Sequence, residues 1–467
     1  MLDEGRDARP DVEDVGPKPE RGDNRPTRVR FLVLFSACSL AVVTYIHRVG
    51  FATASTPMRE EFGLDQRQLG LLMAAFMVAY GLAEVPWGMV GDRKGVRNSL
   101  AVIILGGSLA TAALAAVAWI PGTIAGAFAI LFALRFLFGA FQAGTFPSIT
   151  RMLADWMPTT ERGGAQGLLW MSSRIGGTVA PLLLVPLFGM FGSWETPLVL
   201  VAGLGAVWCV LFWPWFRNRP EEKASVNQAE LERIAAGRRE QPTGHGAVPW
   251  GSMATSGSVW ALCLMYGALG YSGNFFITLL PDYLSTHRGF SPGTIQWMTS
   301  LPFAVGVGSC LLGGTLSDLI IRVSGSRRWG RRVVGAVGMA IAGVAILATL
   351  RVEGVWALGG LLCLTYFGND LAMGPAWAAA ADKGERHAGT LGGLMNMTAS
   401  LTAALAAVVT GHLLESNDVT LPFYLFAASY VFGALCWLRV DVTHTIAGRA
   451  EAPGEDEGDG DGDAEAL

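Results

Sequence analysis

Residues 131 to 147 read LFALRFLFGAFQAGTFP, an apolar segment typical of a membrane-spanning helix, with one arginine, Arg135, inside it. Placing a guanidinium in hydrocarbon costs about 2.5 to 3.5 kcal/mol on insertion scales, so such a side chain has to face a wet cavity or a partner. Gly139 and Gln142 follow at i+4 and i+7, on the same helix face. We interpret this face as the lining of a cavity and Arg135 as an anion-binding group.

The composition of the whole chain agrees with a membrane environment. The 467 residues are 51% hydrophobic and 15% charged, and the mean hydropathy is +0.40. A soluble protein of this size needs more charge to cover its surface. The six cysteines are scattered singly, so neither a disulfide framework, a metal site nor a cofactor is expected.

The apolar segments predict an all-α integral membrane protein with twelve transmembrane helices in two six-helix bundles. Each segment has about 20 residues, which is enough to cross the hydrocarbon core. The expected spans are 31–53, 69–91, 98–119, 123–148, 162–190, 196–216, 257–285, 293–318, 331–350, 354–378, 386–414 and 421–440.

Polar stretches divide the chain into the expected domains. Residues 1–30 are predicted to be a disordered cytoplasmic tail, 31–216 the N-terminal bundle, 217–250 a cytoplasmic linker, 251–440 the C-terminal bundle, and 441–467 an acidic disordered tail. Lysine and arginine concentrate in alternate loops, which predicts that both termini are cytoplasmic. We expect a multi-pass protein of the plasma membrane, in a bacterium the inner membrane.

A repeat supports the two-bundle layout. GMVGDRKGVR at 88–97 follows the second span, and GGTLSDLIIRVSGSRRWGRR at 313–332 follows the eighth. Both contain G-x-x-x-D followed by cations. The glycine lets a neighbouring helix approach, and the aspartate can cap a helix N-terminus. We predict that these motifs are gate latches, formed by Gly88, Asp92, Arg93, Gly95, Arg97, Gly314 and Asp318.

These motifs carry a family resemblance, together with YIHR at 45–48, LRFLFGAFQAGTFP at 134–147, DWMPTTERG at 155–163 and FRNRPEEKASVNQAEL at 216–231. The chain resembles the major facilitator superfamily, and within it the anion:cation symporter branch of galactonate, hexuronate, vesicular glutamate and sialic acid carriers. The resemblance implies an alternating-access carrier of organic anions, commonly driven by protons.

The resemblance also suggests residue roles. Arg48 and Arg135 match the arginines of the first and fourth helices, Tyr80 a cavity tyrosine and Asn396 an asparagine of the eleventh helix. The branch's proton-coupled carriers have carboxylates where this chain has His47 and Gln142. The coupling group is therefore open, and His47, Gln142, Glu84 and Asp370 are the candidates.

The two membrane carboxylates have alternative interpretations. Glu84 lies near Pro86, and a salt bridge in the inner gate is favoured over a proton site. Asp370 lies in TYFGNDLAMGPAW, where Asn369, Gly374 and Pro375 can interrupt the helix. It is either a coupling residue or a fixed counter-ion for an arginine.

Further residues complete the expected substrate site. Arg174 is a third membrane cation, which we place in the cavity rather than in a permanent pair with Glu84 or Asp370. Several guanidinium groups imply an anionic cargo. The expected lining is Arg48, Arg135, Tyr45, Tyr80, Arg174, Tyr271, Asn274, Trp377 and Asn396. Tyrosine, tryptophan and asparagine can equally serve helix packing.

The predicted function is a secondary active transporter of a small organic anion, such as a sugar acid or hexuronate, with protons as the coupling ion. No catalytic motif of the H-E-x-x-H or G-x-S-x-G type occurs, so an enzyme is not expected. Alternatives are an anion exchanger or facilitator, a drug exporter and a membrane sensor. The partners are the bilayer and the anion, without nucleic acid, and a monomer is the default.

Overall fold

The computed structural model of the protein describes residues 25–119, 124–236, 248–276, 280–415 and 420–446. Most of the two predicted tails (1–24 and 447–467) and part of the linker (237–247) lie outside these ranges. The described helices are α1 Val29–Phe62, α2 Gln66–Lys94, α3 Val96–Ala116, α4 Ile124–Gln142, α5 Thr145–Trp156, α6 Arg162–Phe191, α7 Glu195–Trp215, α8 Gln228–Ala235, α9 Trp250–Thr255, α10 Gly257–Asn274, α11 Leu280–Asp282, α12 Pro292–Ser324, α13 Arg327–Ala348, α14 Val355–Leu371, α15 Met373–Gly384, α16 Ala388–Glu415 and α17 Leu421–Trp437.

Long apolar helices dominate the described ranges. Nine stretches are long and apolar enough to cross a bilayer, and one of them, Val355–Thr410, contains the turn between α15 and α16. Leu421–Trp437 is a shorter apolar helix. The all-helical membrane fold is confirmed, whereas the number of twelve crossings stays a prediction.

The helices form an N-terminal half, α1–α7, and a C-terminal half, α10–α17. The two halves contact each other mainly where α2 packs on α16 and where α6 packs on α12. In each half one apolar segment is broken into two helices. The break between α4 and α5 is at Ala143–Gly144, and the break between α14 and α15 is at Ala372, two residues after Asp370.

The start of the linker packs on the N-terminal half. The carboxylate of Glu230, on α8, is completely buried and accepts hydrogen bonds from the backbone N–H of Arg28 (3.1 Å) and Arg30 (3.2 Å) and from Arg30 Nη1 (2.8 Å). Glu230 thereby occupies the N-terminus of α1, where a carboxylate is favoured by the unpaired N–H groups. Since α1 begins at Val29, the first helix starts slightly before the expected span.

Candidate functional site

Arg48 lies between the halves, near the middle of α1, and is only partly buried. Aromatic rings surround its guanidinium. Its Cζ is 4.5 Å from the ring centroid of Tyr80, 5.4 Å from that of Tyr45, 5.5 Å from that of Phe146 and 5.8 Å from that of Phe76. Such faces attract a cation without neutralising it.

The charge of Arg48 has no salt-bridge partner among the described residues. Its Nη2 makes a long contact of 3.5 Å with the backbone carbonyl of Gln142, and its Nε has no acceptor within the described ranges. The guanidinium therefore keeps most of its hydrogen-bonding capacity for another anion.

A polar network beside Arg48 joins the two halves. Asn396, on α16, donates to the Tyr80 hydroxyl (3.3 Å) and to Glu84 Oε1, both on α2. The second oxygen of Glu84 is buried and has no partner in the described part of the chain. The favoured salt-bridge interpretation of Glu84 was wrong, because its partner is an amide. Asn396 is likewise bound to protein in this conformation.

Arg174 and Asp370 form the central ion pair between the halves. Arg174, on α6, donates from Nε and Nη2 to the two oxygens of Asp370, on α14, at 3.0 Å each. Asp370 is completely buried, whereas the Arg174 side chain is 13% exposed. Arg174 was expected to be free in the cavity. The alternative prediction, that Asp370 is the counter-ion of an arginine, agrees with this contact. The side chain of Arg174 is nevertheless partly exposed.

Arg135 does not share the surroundings of Arg48. It is 4% exposed, its Cζ is 3.7 Å from the ring centroid of Phe51, and its Nε has no acceptor in the described ranges. It lines a small cavity inside the N-terminal half with His47 and Thr111, which is barely large enough for one water molecule. The expected clamp of Arg48 and Arg135 on one carboxylate was therefore wrong for this conformation.

The two coupling candidates near Arg135 are buried as well. His47 contacts the backbone carbonyl of Val201 through Nε2 at 2.9 Å, and its Nδ1 has no partner among the described residues. Gln142 is 1% exposed, and neither atom of its amide group has a partner there. These polar groups lie within the core of the N-terminal half.

An aromatic layer, which the sequence did not reveal, lies at the boundary of the halves. Phe146 stacks on Trp170 at 4.6 Å, and Trp377 lies 5.5 Å from Trp170. Trp377 is completely buried and donates from Nε1 to the Tyr266 hydroxyl at 2.8 Å. The expectation that Trp377 contacts substrate was wrong for this conformation, because its polar atom and its surface are occupied.

The remaining expected lining residues lie on α10. Tyr271 and Asn274 are both partly exposed, and the Tyr271 ring is 5.9 Å from that of Phe426. Gly270 of this helix serves packing, because a side chain there would collide with the backbone carbonyl of Ala399 on α16, at 2.6 Å.

The two repeated motifs make the same contact with opposite halves. Asp92 accepts hydrogen bonds from the backbone N–H of Gly389 (3.0 Å) and of Thr390 (2.7 Å), at the N-terminus of α16. Asp318 accepts from the backbone N–H of Gly163 (3.0 Å) and Gly164 (2.5 Å), at the N-terminus of α6. We call these contacts the first and second latch. Both show the expected capping geometry.

The glycines of the motifs explain how closely the helices cross. A Cβ on Gly88 would collide with the carbonyl of Gly389, and one on Gly314 would collide with that of Gly163. The cations that follow the first latch lie at the surface or bind a backbone carbonyl. Arg93 is exposed, and Arg97 donates to the carbonyl of Trp213 at 2.6 Å rather than to a carboxylate.

A buried ion network that the sequence did not indicate flanks the second latch. Arg331 donates to Asp318 (2.7 Å) and Asp382 (3.1 Å), and Arg162 donates to Asp382 (2.7 Å). Arg162 belongs to the N-terminal half and the other three residues to the C-terminal half. In the sequence, the motif DWMPTTERG and the basic run after Asp318 indicated charged residues in this region. Neither pattern predicted which residues pair with each other.

The hydrogen bonds and ion pairs that can be assigned between the halves within the described ranges occupy one side of the molecule. They reach from the latches to the Arg174–Asp370 pair near mid-membrane. We call this the latch side. The halves are thus joined on one side of Arg48, as expected for one end state of an alternating-access carrier.

Comparison with known proteins decides the family. The model of the Major Facilitator Superfamily matches residues 33–407, with a second, overlapping match at 262–458. The chain belongs to the Major Facilitator Superfamily. It is therefore a multi-pass membrane transporter, as the resemblance predicted.

Individual relatives show which carriers of the superfamily the chain is similar to. The chain is 31% identical to a probable sulfoacetate transporter of Cupriavidus necator, over 92% of this chain and 97% of the relative. It is 26% identical to a D-galactonate transporter of Escherichia coli, over 89% and 96%. A probable galactarate/D-glucarate transporter of Escherichia coli is 29% identical, over 84% and 88%. These relatives belong to the sugar-acid and anion carriers, the branch that the sequence motifs predicted.

Solved structures support the fold. The proton:xylose symporter bound to 6-bromo-6-deoxy-D-glucose superposes with a TM-score of 0.71 at 13% identity, covering 91% of this chain and 99% of the symporter. A bacterial homologue of ferroportin in its outward-facing state gives 0.69 at 13% identity, covering 87% and 99%. At this identity the likeness concerns the fold alone.

Proposed function

We propose that the protein is a secondary active transporter that moves a small organic anion, such as a sugar acid or another carboxylate, across the plasma membrane by alternating access. The observation that carries this proposal is Arg48, a cation between the halves with free hydrogen-bonding capacity and no carboxylate partner among the described residues. An arginine in hydrocarbon is retained for a functional reason. The names of the relatives support the same class of cargo.

Arg48 binds the acidic group of the cargo. Tyr45 and Tyr80 flank it and present hydroxyl groups next to the guanidinium. Tyr271 and Asn274 of the other half contribute polar groups to the opposite wall once the halves approach. Binding favours closure because the anion neutralises Arg48 and attracts groups from both halves.

The latch side faces the cytoplasm in this proposal. Arg93, Lys94, Arg322 and Arg327 lie at helix ends on this side, and basic residues concentrate in cytoplasmic loops. Both termini are then cytoplasmic, and the described conformation is closed towards the cytoplasm. The working unit is a monomer.

Protons serve as the coupling ion. Glu84 is completely buried on α2, accepts a hydrogen bond from Asn396, and interacts electrostatically with Arg48. A carboxylate in this place can exchange a proton with the cavity when the anion arrives. Exchange or facilitated flow without protons predicts instead that uptake is independent of a pH gradient.

The first test is a binding and uptake screen of the purified protein. Sugar acids, dicarboxylates, sulfonates and lipophilic cations are compared by thermal shift, because a ligand at 100 times its Kd stabilises the folded state by about 2.7 kcal/mol. Uptake into proteoliposomes is then measured with and without an inward proton gradient. Stabilisation by cations alone would contradict the anion assignment.

The second test is Arg48→Ala. We expect uptake of the anion to fall at least about a hundredfold, because a desolvated charge-assisted contact contributes about 1.5 to 3 kcal/mol per hydrogen bond and Arg48 can donate more than one. Arg67→Ala, at an exposed arginine at the start of α2, is the matched control and should transport normally. Wild-type uptake by the Arg48 variant would remove the proposed site.

A further inference from the structure

The Arg174–Asp370 pair is asymmetric, and its positive end faces the space between the halves. Arg174 uses Nε and Nη2 for Asp370, whereas Nη1 takes no part in this pair. The Cys310 side chain also interacts with the guanidinium. The side chain of Arg174 is 13% exposed, whereas that of Asp370 is fully buried. An incoming anion therefore meets the guanidinium first, and the carboxylate lies behind it.

Asp370 is held firmly by its own half. Besides Arg174, it accepts a hydrogen bond from Asn369 Nδ2 (3.1 Å) and contacts Cys310 Sγ (3.5 Å). The Tyr430 hydroxyl donates to Asn369 Oδ1 at 3.1 Å, which fixes the amide in the orientation that Asp370 requires. Asp370 therefore fixes the orientation of the Arg174 guanidinium.

Tyr45 connects Arg174 to Arg48. It precedes Arg48 by three residues on α1, and it packs against α6 next to Arg174, since a Cβ on Gly177 would lie 3.4 Å from Tyr45 Cδ1. The Cζ of Arg48 is 5.4 Å from the ring centroid of Tyr45. The Tyr45 side chain is partly exposed. Two cations thus border one tyrosine.

From this geometry we infer that the carrier selects anions with two acidic groups, one bound by Arg48 and the other by Arg174. This inference rests on the proposed function and specifies the substrate class of the same site. A monoanion uses Arg48 alone. The second acidic group of a dianion gains a charge-assisted hydrogen bond to Arg174 Nη1, and the pair with Asp370 remains in place to position the guanidinium.

The test compares anions that differ in a single acidic group. D-Glucarate is paired with D-gluconate, and sulfoacetate with glycolate, and the affinity of each is measured by calorimetry and by competition for uptake. The wild-type protein should bind at least one dianion about tenfold or more tightly than its monoanionic partner, as expected for one additional charged hydrogen bond.

The informative variant is the double substitution Arg174→Gln with Asp370→Asn, which replaces the buried ion pair with two amides and leaves no unpaired buried charge. We expect the ratio of dianion to monoanion affinity to fall to near unity, while the loss of this contact between the halves changes both affinities by a common factor. Asp370→Asn alone frees Arg174 and should increase the dianion preference. A merely structural role for the pair predicts equal losses for both anions.

The matched control is Arg162→Gln with Asp382→Asn, which removes an ion pair between the same two halves close to the latches. It also removes the contact of Asp382 with Arg331, which keeps Asp318 as its counter-ion. It should change the conformational equilibrium but not the ratio of dianion to monoanion affinity. The inference is overturned if the wild-type protein shows no dianion preference, or if the first double variant retains it. If no anion binds at all, the proposed function itself is wrong.

Discussion

The two latches have the same backbone geometry but different electrostatic surroundings. In each, an aspartate caps the N-terminus of a helix from the other half, and a glycine four residues earlier allows the helices to touch. The first latch adds the Thr390 hydroxyl, which donates to Asp92 at 2.6 Å, and Arg151, which interacts electrostatically with Asp92 but forms no salt bridge with it within the described ranges. The second adds Arg331, which is fully buried and also bound to Asp382.

This comparison separates what the repeat requires from what each half adds. Capping by a carboxylate needs no partner side chain, because two backbone N–H groups are available at any helix start. A buried arginine is different, since the removal of its counter-ion leaves an uncompensated charge. We therefore expect the second latch to control the closed state more strongly than the first.

Neutralising the two aspartates is expected to reveal the largest difference between the latches. Asp318→Asn should shift the equilibrium towards opening on the latch side by about 3 kcal/mol, because it disrupts a buried ion pair, whereas Asp92→Asn should shift it by about 1 to 2 kcal/mol. Distances between spin labels placed on the two halves report the two populations. Equal shifts would show that Arg331 contributes nothing beyond the cap.

Substitution of the glycines tests the close helix contact that the two latches have in common. Gly314→Val and Gly88→Val should each weaken the closed state by about 1 to 3 kcal/mol, to a similar extent, because both collide with a backbone carbonyl. The same spin-label measurement is the readout. Gly308→Val on α12 and Gly70→Val on α2 are the controls, since a Cβ at either position meets nothing within 4 Å. Unequal effects of the two latch variants would contradict the symmetric backbone contact.

The smallest expected effect concerns the residue that precedes each capped helix. Glu161, before α6, bonds Arg233 (2.8 Å) and Arg30 (3.0 Å), whereas His387, before α16, has no hydrogen-bond partner among the described residues. Burial alone raises the pKa of Glu161, but the hydrogen bonds from Arg233 and Arg30 outweigh it and lower the pKa below the usual 4.5.

Because the folded-state pKa of Glu161 is lowered, its contribution to stability is present above the unfolded-state value and is lost as the pH falls through the lowered pKa. Thermal unfolding in detergent should therefore show a loss below about pH 4.5 that Glu161→Gln abolishes. The matched variant Glu60→Gln, at an exposed carboxylate near the end of α1, should leave this acid limb unchanged. If the acid loss of stability persists in Glu161→Gln, other carboxylates cause it.

Sequence and structure agree on the latches for a physical reason. The spacing of Gly88 and Asp92, and of Gly314 and Asp318, is local, and one helical turn places both residues on the same face. The capped segments begin about 300 and 150 residues away in the chain, as Asp92 binds Gly389 and Asp318 binds Gly163. The motif therefore predicted a cap but not which helix receives it.

The surroundings of the three membrane arginines could not be predicted from their local sequence. Composition alone marks Arg48, Arg135 and Arg174 as functional, because each is a cation in an apolar helix. Their surroundings differ: Arg48 lies among aromatic rings with no salt bridge within the described ranges, Arg174 binds Asp370, and Arg135 lies against the ring of Phe51. The difference comes from the packing of α1, α4, α6 and α14, which periodicity does not encode.

The sequence by itself determined the membrane-spanning helices, the division into two halves and the acidic residues of the latches, because hydrophobic runs and one-turn spacings are properties of short segments. Only the tertiary structure decided which side chains surround each membrane cation. Counter-ions such as Asp370 and rings such as Phe51 come from distant segments, and the free energy of a buried charge depends on what these segments place around it.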